Sequence, residues 1–216
     1  MIVLSTAFKR ALIGIEIGDK IDTFELDSNC KHSENLLLSI DNLLNKMGKT
    51  INDNDCYGVV IGPGSFTGVR IATSLVKGLL AGDNNKKIIT LTSFELMAYT
   101  YINLYKPKSN FACVIDALSD LYFVCSFDKE GNKIDNEKMI GKEEFEKIQI
   151  TKVGLEEENL DCQVKITPSA QDLLDICKRK SSEGKLSKPE DILPLYLRKS
   201  QAEASLEERL KKNKNF

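Results

Sequence analysis

A chain of 216 residues that is 42% hydrophobic and 29% charged has the composition of an ordinary folded protein, long enough to bury a core without disulfide or metal support. Thirty basic against thirty-two acidic side chains give a formal charge of -2, so no net positive field draws the protein onto a nucleic-acid backbone, and contact with RNA is expected to be weak or indirect. Six cysteines at 30, 56, 113, 125, 162 and 177, with no CxxC pair and one histidine in the chain, argue against a zinc site and read as reduced, mostly buried thiols.

Met1 to Gly18 starts apolar, but Lys9, Arg10 and Glu16 interrupt it and no small-residue cleavage site follows, so no signal peptide is expected. Nowhere do about 18 uncharged apolar residues run together; the richest stretch, Val69 to Gly82, contains Lys77. A cytoplasmic location without membrane contact is the expectation. Ile2 to Thr6, Ala11 to Ile17 and Ile21 to Asp27 are β-prone runs separated by Lys9-Arg10 and Gly18-Asp19, the spacing of an antiparallel meander. Ser33-Glu34 then signals a helix start, Leu37, Ile40, Leu44 and Met47 recur at helical spacing, and Gly48 ends it. Tyr57 to Ile61 reads as a buried parallel strand that feeds a helix over about 67–81. Lys87 to Leu91 is the next strand, and Thr92 with Glu95 forms a capping box for the next helix.

The order to Tyr105 is therefore β-β-β-α-β-α-β-α, one half of what could be a duplicated architecture. Lys106 to Asn110 is a polar break, which divides the chain into domains at 1–105 and 106–216. Beyond it, Phe111 to Ile115 and Leu121 to Phe127 are strands, shorter ones lie near Lys152 and Val164, and Pro168-Ser169 opens a helix to about Lys180. Ser181 to Pro189 is a loop, and Ala202, Leu206 and Leu210 mark a surface helix over 201–212.

Gly62-Pro63-Gly64-Ser65-Phe66-Thr67-Gly68-Val69-Arg70 is the most distinctive segment, a glycine-rich turn between strand and helix. Such a turn can cradle phosphate on free N–H groups, or it can serve only tight packing of the helix. It fails the Walker A pattern, because five residues separate Gly62 from Gly68 and Val69-Arg70 follows, and it fails the dinucleotide fingerprint, because Thr67 stands at the third glycine. The helix beyond it is apolar on two faces, Val69, Ala72, Val76 and Leu79 on one and Ile71, Leu75 and Gly78 on the other. One face can cover the sheet; the second either completes the monomer core against the helix from Ser33 or docks a partner.

These residues resemble the TsaB family, also called YeaZ, whose hallmark is a GPGSFTGLR-like segment followed by an A-x-x-x-x-K-G-L-A-like helix, here Gly62 to Arg70 and Ala72 to Ala81. His32-Ser33-Glu34 is similar to the family's H-S-E helix start, Asp116-Ala117 with Leu121-Tyr122 to its D-A-x-x-x-x-V-Y element, and Pro194 to Arg198 to its P-x-Y-L-R ending. The resemblance implies an α/β, actin/Hsp70-like (ribonuclease H-like) fold of two related subdomains. It also implies a non-catalytic subunit for threonylcarbamoyladenosine modification of tRNA at the adenosine following the anticodon. Its partner would be the TsaD transferase, in an assembly with the ATPase TsaE, where ATP and Mg²⁺ are used by the partner subunits and no cofactor is bound by this chain alone. By the same resemblance the two helices would join two helices of TsaD, with His32, Ser33, Leu37, Ile40, Leu44, Val69, Arg70, Val76 and Leu80 at the interface, and the same helices could pair two copies of the chain when TsaD is absent.

One departure bears on the alternative, an actin-like ATPase or kinase acting on its own. The family's I-D-T-S reads Leu4-Ser5-Thr6-Ala7 here, and a neutral Ser5 cannot supply an aspartate's charge to Mg²⁺. A peptidase reading is weak with one histidine, His32, at a helix start, and Ser65 lacks a G-x-S-x-G context. Glu156-Glu157-Glu158 reads as a solvated charged face, and Lys211 to Lys214 as either a tRNA contact or a frayed helix end.

Overall fold

The fold is given by a computed structural model that describes residues 1–26, 32–81 and 85–197. Strands β1 (Ile2–Ser5), β2 (Ala11–Ile17) and β3 (Lys20–Leu26) form the expected meander, with Ile2 opposite Ile15 and Ser5 opposite Leu12. β4 (Cys56–Val60) and β5 (Lys87–Leu91) add in parallel on the other side of β1, giving the order β3-β2-β1-β4-β5. Every residue of β1 and β4 is buried, because helices cover both faces and leave no polar side to the alternation. Ile2, Leu4, Ile13 and Ile15 point to the face carrying helices α1 (His32–Lys46) and α2 (Phe66–Leu80), whereas Val3 and Leu12 point into the centre of the molecule.

Helix α3 (Ser93–Tyr105) leads to a second sheet of β6 (Phe111–Asp116), β7 (Leu121–Phe127), β8 (Lys138–Gly141), β9 (Thr151–Leu155) and β10 (Val164–Ile166), in the order β10-β9-β6-β7-β8. The pairing repeats that of the first sheet: β6, β7 and β8 are antiparallel neighbours, and β9 and β10 are parallel. Helix α4 (Lys142–Glu146) stands in the place of α1 and α5 (Ala170–Ser182) in the place of α3. No helix corresponds to α2; residues 156–163 join β9 to β10 instead. The sequence therefore encodes a duplicated α/β unit, with its second copy shortened on the outer face.

Both β8 and α4 escape sequence reading. Each is four or five residues long, with Ile140 and Phe145 their only buried apolar side chains, too little for periodicity to register. The division at 106–110 separates the two sheets but not the helices. α5 follows the second sheet in sequence yet packs on β1, β2, β3 and β5 of the first, as well as on α3. It lies so close that a Cβ on Gly58 of β4 would stand 2.6 Å from the Cys177 sulfur. One core consequently joins Val3, Leu12 and Ile89 of the first sheet, Phe94 and Met97 of α3, Leu173 and Leu174 of α5, and Phe111, Phe127 and Val153 of the second sheet. The helix expected over 201–212 and the basic cluster Lys211 to Lys214 lie outside the described residues. Among the described residues, no helix is long and apolar enough to cross a membrane.

Candidate functional site

The glycine-rich turn runs from the end of β4 to α2 and packs on the β1–β2 hairpin. Its Gly62–Pro63 peptide is cis, and Gly62 has a φ of 106° that a side chain would strain. A Cβ on Gly64 would stand 2.3 Å from the Ala7 carbonyl oxygen, and one on Gly68 only 1.8 Å from that of Thr6, so both glycines are required by the close approach of two backbones. The Ser65 N–H donates to the Ala7 carbonyl at 2.8 Å, the Gly68 N–H donates to the Ser65 hydroxyl at 3.1 Å as the helix cap, and the Thr6 hydroxyl donates to the Gly68 carbonyl. On the other side, the Ser93 N–H donates to the Gly62 carbonyl at 2.8 Å. The Ser65 and Gly68 N–H groups, which a phosphate would need, already have partners. Of the two readings of this turn, packing is the one its geometry supports. Pro63 is buried, Thr67 exposed, and Phe66 is 41% exposed at the first helical position.

α1 and α2 lie side by side over the first sheet, α1 on β2 and β3 and α2 on β1 and β4. Ile40, Leu44, Val69, Val76 and Leu80, expected at a partner interface, are instead buried in the core of the chain itself, each at most 6% exposed. The sequence places them at the right period for an apolar face, but it is the face against the sheet. Leu37 does reach the surface, at 53% exposed, and beside it Leu38 at 56%. On α2 the outward row is Ile71, Leu75 and Leu79, half-buried at i, i+4 and i+8, flanked by exposed Ser74 and Gly78. His32 opens α1, and the side chains of His32 and Ser33 lie outside the described residues. Arg70 is exposed, but its guanidinium lies 3.8 Å from the centroid of the Phe66 ring and its Nε–H donates to the Tyr196 hydroxyl at 2.6 Å. In the sequence Arg70 and Pro194 to Arg198 belong to separate motifs, and nothing local reveals that the chain folds back over 126 residues to join them.

Between the two halves, at the carboxyl ends of β1, β4, β6 and β9, lies a cavity of about 370 Å³, the position where ligands bind in open α/β sheets. In an actin-like fold this is where a nucleotide would sit, and the residues present do not fit one. Ser5 is fully buried, with its hydroxyl accepting the Ala7 N–H at 3.4 Å, and supplies no carboxylate for a metal. Asp116, Glu157 and Glu158 line the cavity with Phe8, Lys9, Ser65 and Ile115, and Lys9 is the one basic side chain among these lining residues. Glu156 and Glu157 are exposed, as expected of a solvated face, while Glu157 and the half-buried Glu158 also line the cleft. The Glu157 carboxylate accepts the Lys9 N–H at 2.8 Å across the cleft, and that of Glu158 accepts the Asp116 N–H at 3.1 Å. Burial pushes the Glu158 carboxyl up to about 7; the Asp116 N–H opposes this, and the neighbouring Asp116 and Glu157 charges add to it.

A family model described as TsaD: tRNA N6-adenosine threonylcarbamoyltransferase matches residues 27–172. The tRNA threonylcarbamoyladenosine biosynthesis protein TsaB of Haemophilus influenzae is 29% identical over 106 residues, 49% of this chain and 44% of its own length. The protein of the same name from Buchnera aphidicola is 25% identical over 124 residues, 56% of each chain. The chain spans about half the length of the curated relatives it matches. In structure it is similar to YeaZ from Pseudomonas aeruginosa, with a TM-score of 0.73 and 20% identity over 91% of this chain and 98% of the other. A second Pseudomonas aeruginosa structure, described as similar to peptidase YEAZ, gives a TM-score of 0.74 at the same identity and coverage. At that identity the likeness is one of fold, the actin/Hsp70-like arrangement of two related α/β subdomains.

Proposed function

This chain belongs to the family described by TsaD and, within it, to TsaB/YeaZ, and on that premise we propose that it is a non-catalytic scaffold subunit for the threonylcarbamoyladenosine modification of tRNA, binding and supporting a TsaD transferase. The observation that carries the reading is the outward face of α1 and α2. Leu37, Leu38, Ile71, Leu75 and Leu79 form an incompletely covered apolar surface, and Ser74 and Gly78 let another helix approach closely. Two helices offering such a face call for two helices in return. In the absence of TsaD the same face can pair two copies of this chain. The buried, neutral Ser5 in place of the family's aspartate supports assigning ATP and Mg²⁺ to the partner subunits, TsaD and a TsaE-like ATPase, and not to this chain, which also weakens the reading of an independent actin-like ATPase. With a net charge of -2, the chain's contact with tRNA is indirect or weak.

Size-exclusion chromatography with light scattering, on the chain alone and mixed with TsaD of the same organism, tests the assembly. A one-to-one complex is expected, lost in Leu37→Asp and Leu75→Asp variants whose thermal unfolding matches the parent. Absence of a complex at micromolar concentration would overturn the reading. Ile40→Asp and Val76→Asp are unsuitable probes, because a charge in the monomer core unfolds the chain before it can report on docking.

A further inference from the structure

Residues 185–197 leave α5 and return across the first half of the molecule. The Ser187 N–H donates to the Ile88 carbonyl of β5 at 2.8 Å, and its hydroxyl accepts the Thr90 N–H at 3.0 Å, so the segment begins by covering the edge of the first sheet. Pro189 then lies with Lys77, Leu80 and Ala81 at the C-terminal end of α2. Ile192 is fully buried in the core beneath α1 and α2. The Leu195 N–H donates to the Ile61 carbonyl at 2.7 Å, with the Leu195 carbonyl oxygen 3.3 Å from where a Gly62 Cβ would be. Tyr196 meets Phe66 and Arg70 at the N-terminal end of α2, its ring centroid 5.0 Å from that of Phe66. The segment thus runs the length of α2 in the opposite direction. Pro189 to Tyr196 can span about 25 Å when extended, and a fifteen-residue helix is about 22 Å long.

Helix α2 is therefore held on three sides, by the sheet below, by α1 over β2 and β3, and by this strap on the β5 side. The half-buried row Ile71, Leu75 and Leu79 is left outward beside exposed Arg70, Ser74, Lys77 and Gly78. We propose that the strap is a positioning element for the docking face and that Tyr196, acting through Arg70 and Phe66, fixes the first turn of α2 for the partner. The proposal rests on the docking reading above. The Arg70 guanidinium is a planar group on a flexible stem, and stacking on Phe66 together with the bond to the Tyr196 hydroxyl restricts it to one arrangement. The same contacts tie the glycine-rich turn to the last described residues of the chain. The second half of the duplicated fold thereby sets the shape of a surface that belongs to the first.

The test uses the full chain with Tyr196→Ala, which removes ring and hydroxyl, and Tyr196→Phe, which removes the hydroxyl alone. Affinity for TsaD of the same organism is measured by calorimetry well below the unfolding temperature, and amide hydrogen exchange over residues 62–72 is followed in the free chain. Tyr196→Ala is expected to weaken binding about tenfold and to speed exchange in that window, with Tyr196→Phe between it and the parent. A lower unfolding temperature with unchanged affinity and exchange would mean that Tyr196 only tethers the strap, and would overturn the proposal. If the parent chain itself fails to bind TsaD, the docking reading falls first. If the parent binds and Tyr196→Ala binds equally well, the docking reading stands and this proposal alone is lost. Should Tyr196→Ala not fold, Tyr196→Phe decides by the same two readouts.

Discussion

Gly68 and Gly78 lie in the same helix, and a methyl group meets opposite surroundings at the two positions. At Gly68 it would collide with the Thr6 carbonyl at 1.8 Å, where neither backbone can yield without moving the β1–β2 hairpin. Gly68→Ala is expected to destabilise the chain by about 3 kcal/mol. At Gly78 nothing lies within 4 Å, and the position is exposed in the last turns of the helix, so Gly78→Ala should stabilise by about 0.5–1 kcal/mol through helix propensity. Urea unfolding of the two variants measures both signs. Glu158 makes a prediction about pH. Its carboxyl is pushed up from 4.5 to about 7 by burial, so the folded chain binds a proton that the unfolded chain has released between those values. Stability from this group is full below pH 4.5 and is lost as pH rises through 7. Glu158→Gln keeps an oxygen for the Asp116 N–H and removes the charge. At pH 8 it should raise stability by on the order of 2 kcal/mol, allowing for the water that reaches the group, and at pH 4 it should change little. Denaturant titrations at the two pH values give the comparison.

At the scale of elements, what sequence reveals is what neighbouring residues determine together. The Thr92–Glu95 capping box of α3 is legible, because both partners sit in one turn, and it forms as expected: the Thr92 N–H donates to Glu95 at 2.7 Å and the Glu95 N–H to the Thr92 hydroxyl at 3.2 Å. The 2.8 Å ion pair that Glu95 also makes with Lys180 of α5 is not legible, since 85 residues separate the two. The meander, α1, α2 and the glycine-rich turn could be read from periodicity and turn chemistry, whereas β8, α4 and the strap could not, for their burial is decided by chain brought from elsewhere. The burial of Ile40 and Val76 shows the same limit from the other side, because helical period identifies an apolar face without saying whether sheet or partner covers it. The Glu95–Lys180 pair carries its own test. Burial works against ionisation of Glu95, but the Lys180 charge and hydrogen bond, with the Thr92 N–H, outweigh it and hold the carboxyl below its ordinary 4.5. Its contribution to stability is present above pH 4.5 and lost as pH falls through the lower folded value. Lys180→Met strands the carboxylate and is expected to cost about 2–3 kcal/mol at pH 7, with a smaller loss at pH 3, as read from denaturant midpoints.

For the whole molecule the duplicated topology suggests two units that could unfold separately, and the packing says otherwise. The face of the first sheet that looks toward the second is covered by α5, whose residues come late in the chain, and α3, which belongs to the first half, packs on β6, β7 and β10 of the second sheet. Each half supplies the helix that the other half needs. Cys177 against Gly58 leaves no space for α5 to slide on the first sheet, and Leu173 and Leu174 are fully buried in the shared core. Removing α5 would expose β1 and β2 on that face, and Ile192 of the strap would leave the outer core as well. The halves therefore share one cooperative unit, although their sheets are separate. Scanning calorimetry of the full chain is expected to show a single unfolding transition with equal calorimetric and van't Hoff enthalpies, and Leu173→Ala in α5 should lower that one transition as a whole, by about 3 kcal/mol. Two resolved transitions, or a Leu173→Ala effect confined to one of them, would show that the shared helices fail to couple the sheets. In that event Tyr196 and the strap would be anchored to a half that can open while α2 stays folded, and the second half could set the docking face only for as long as it remained closed.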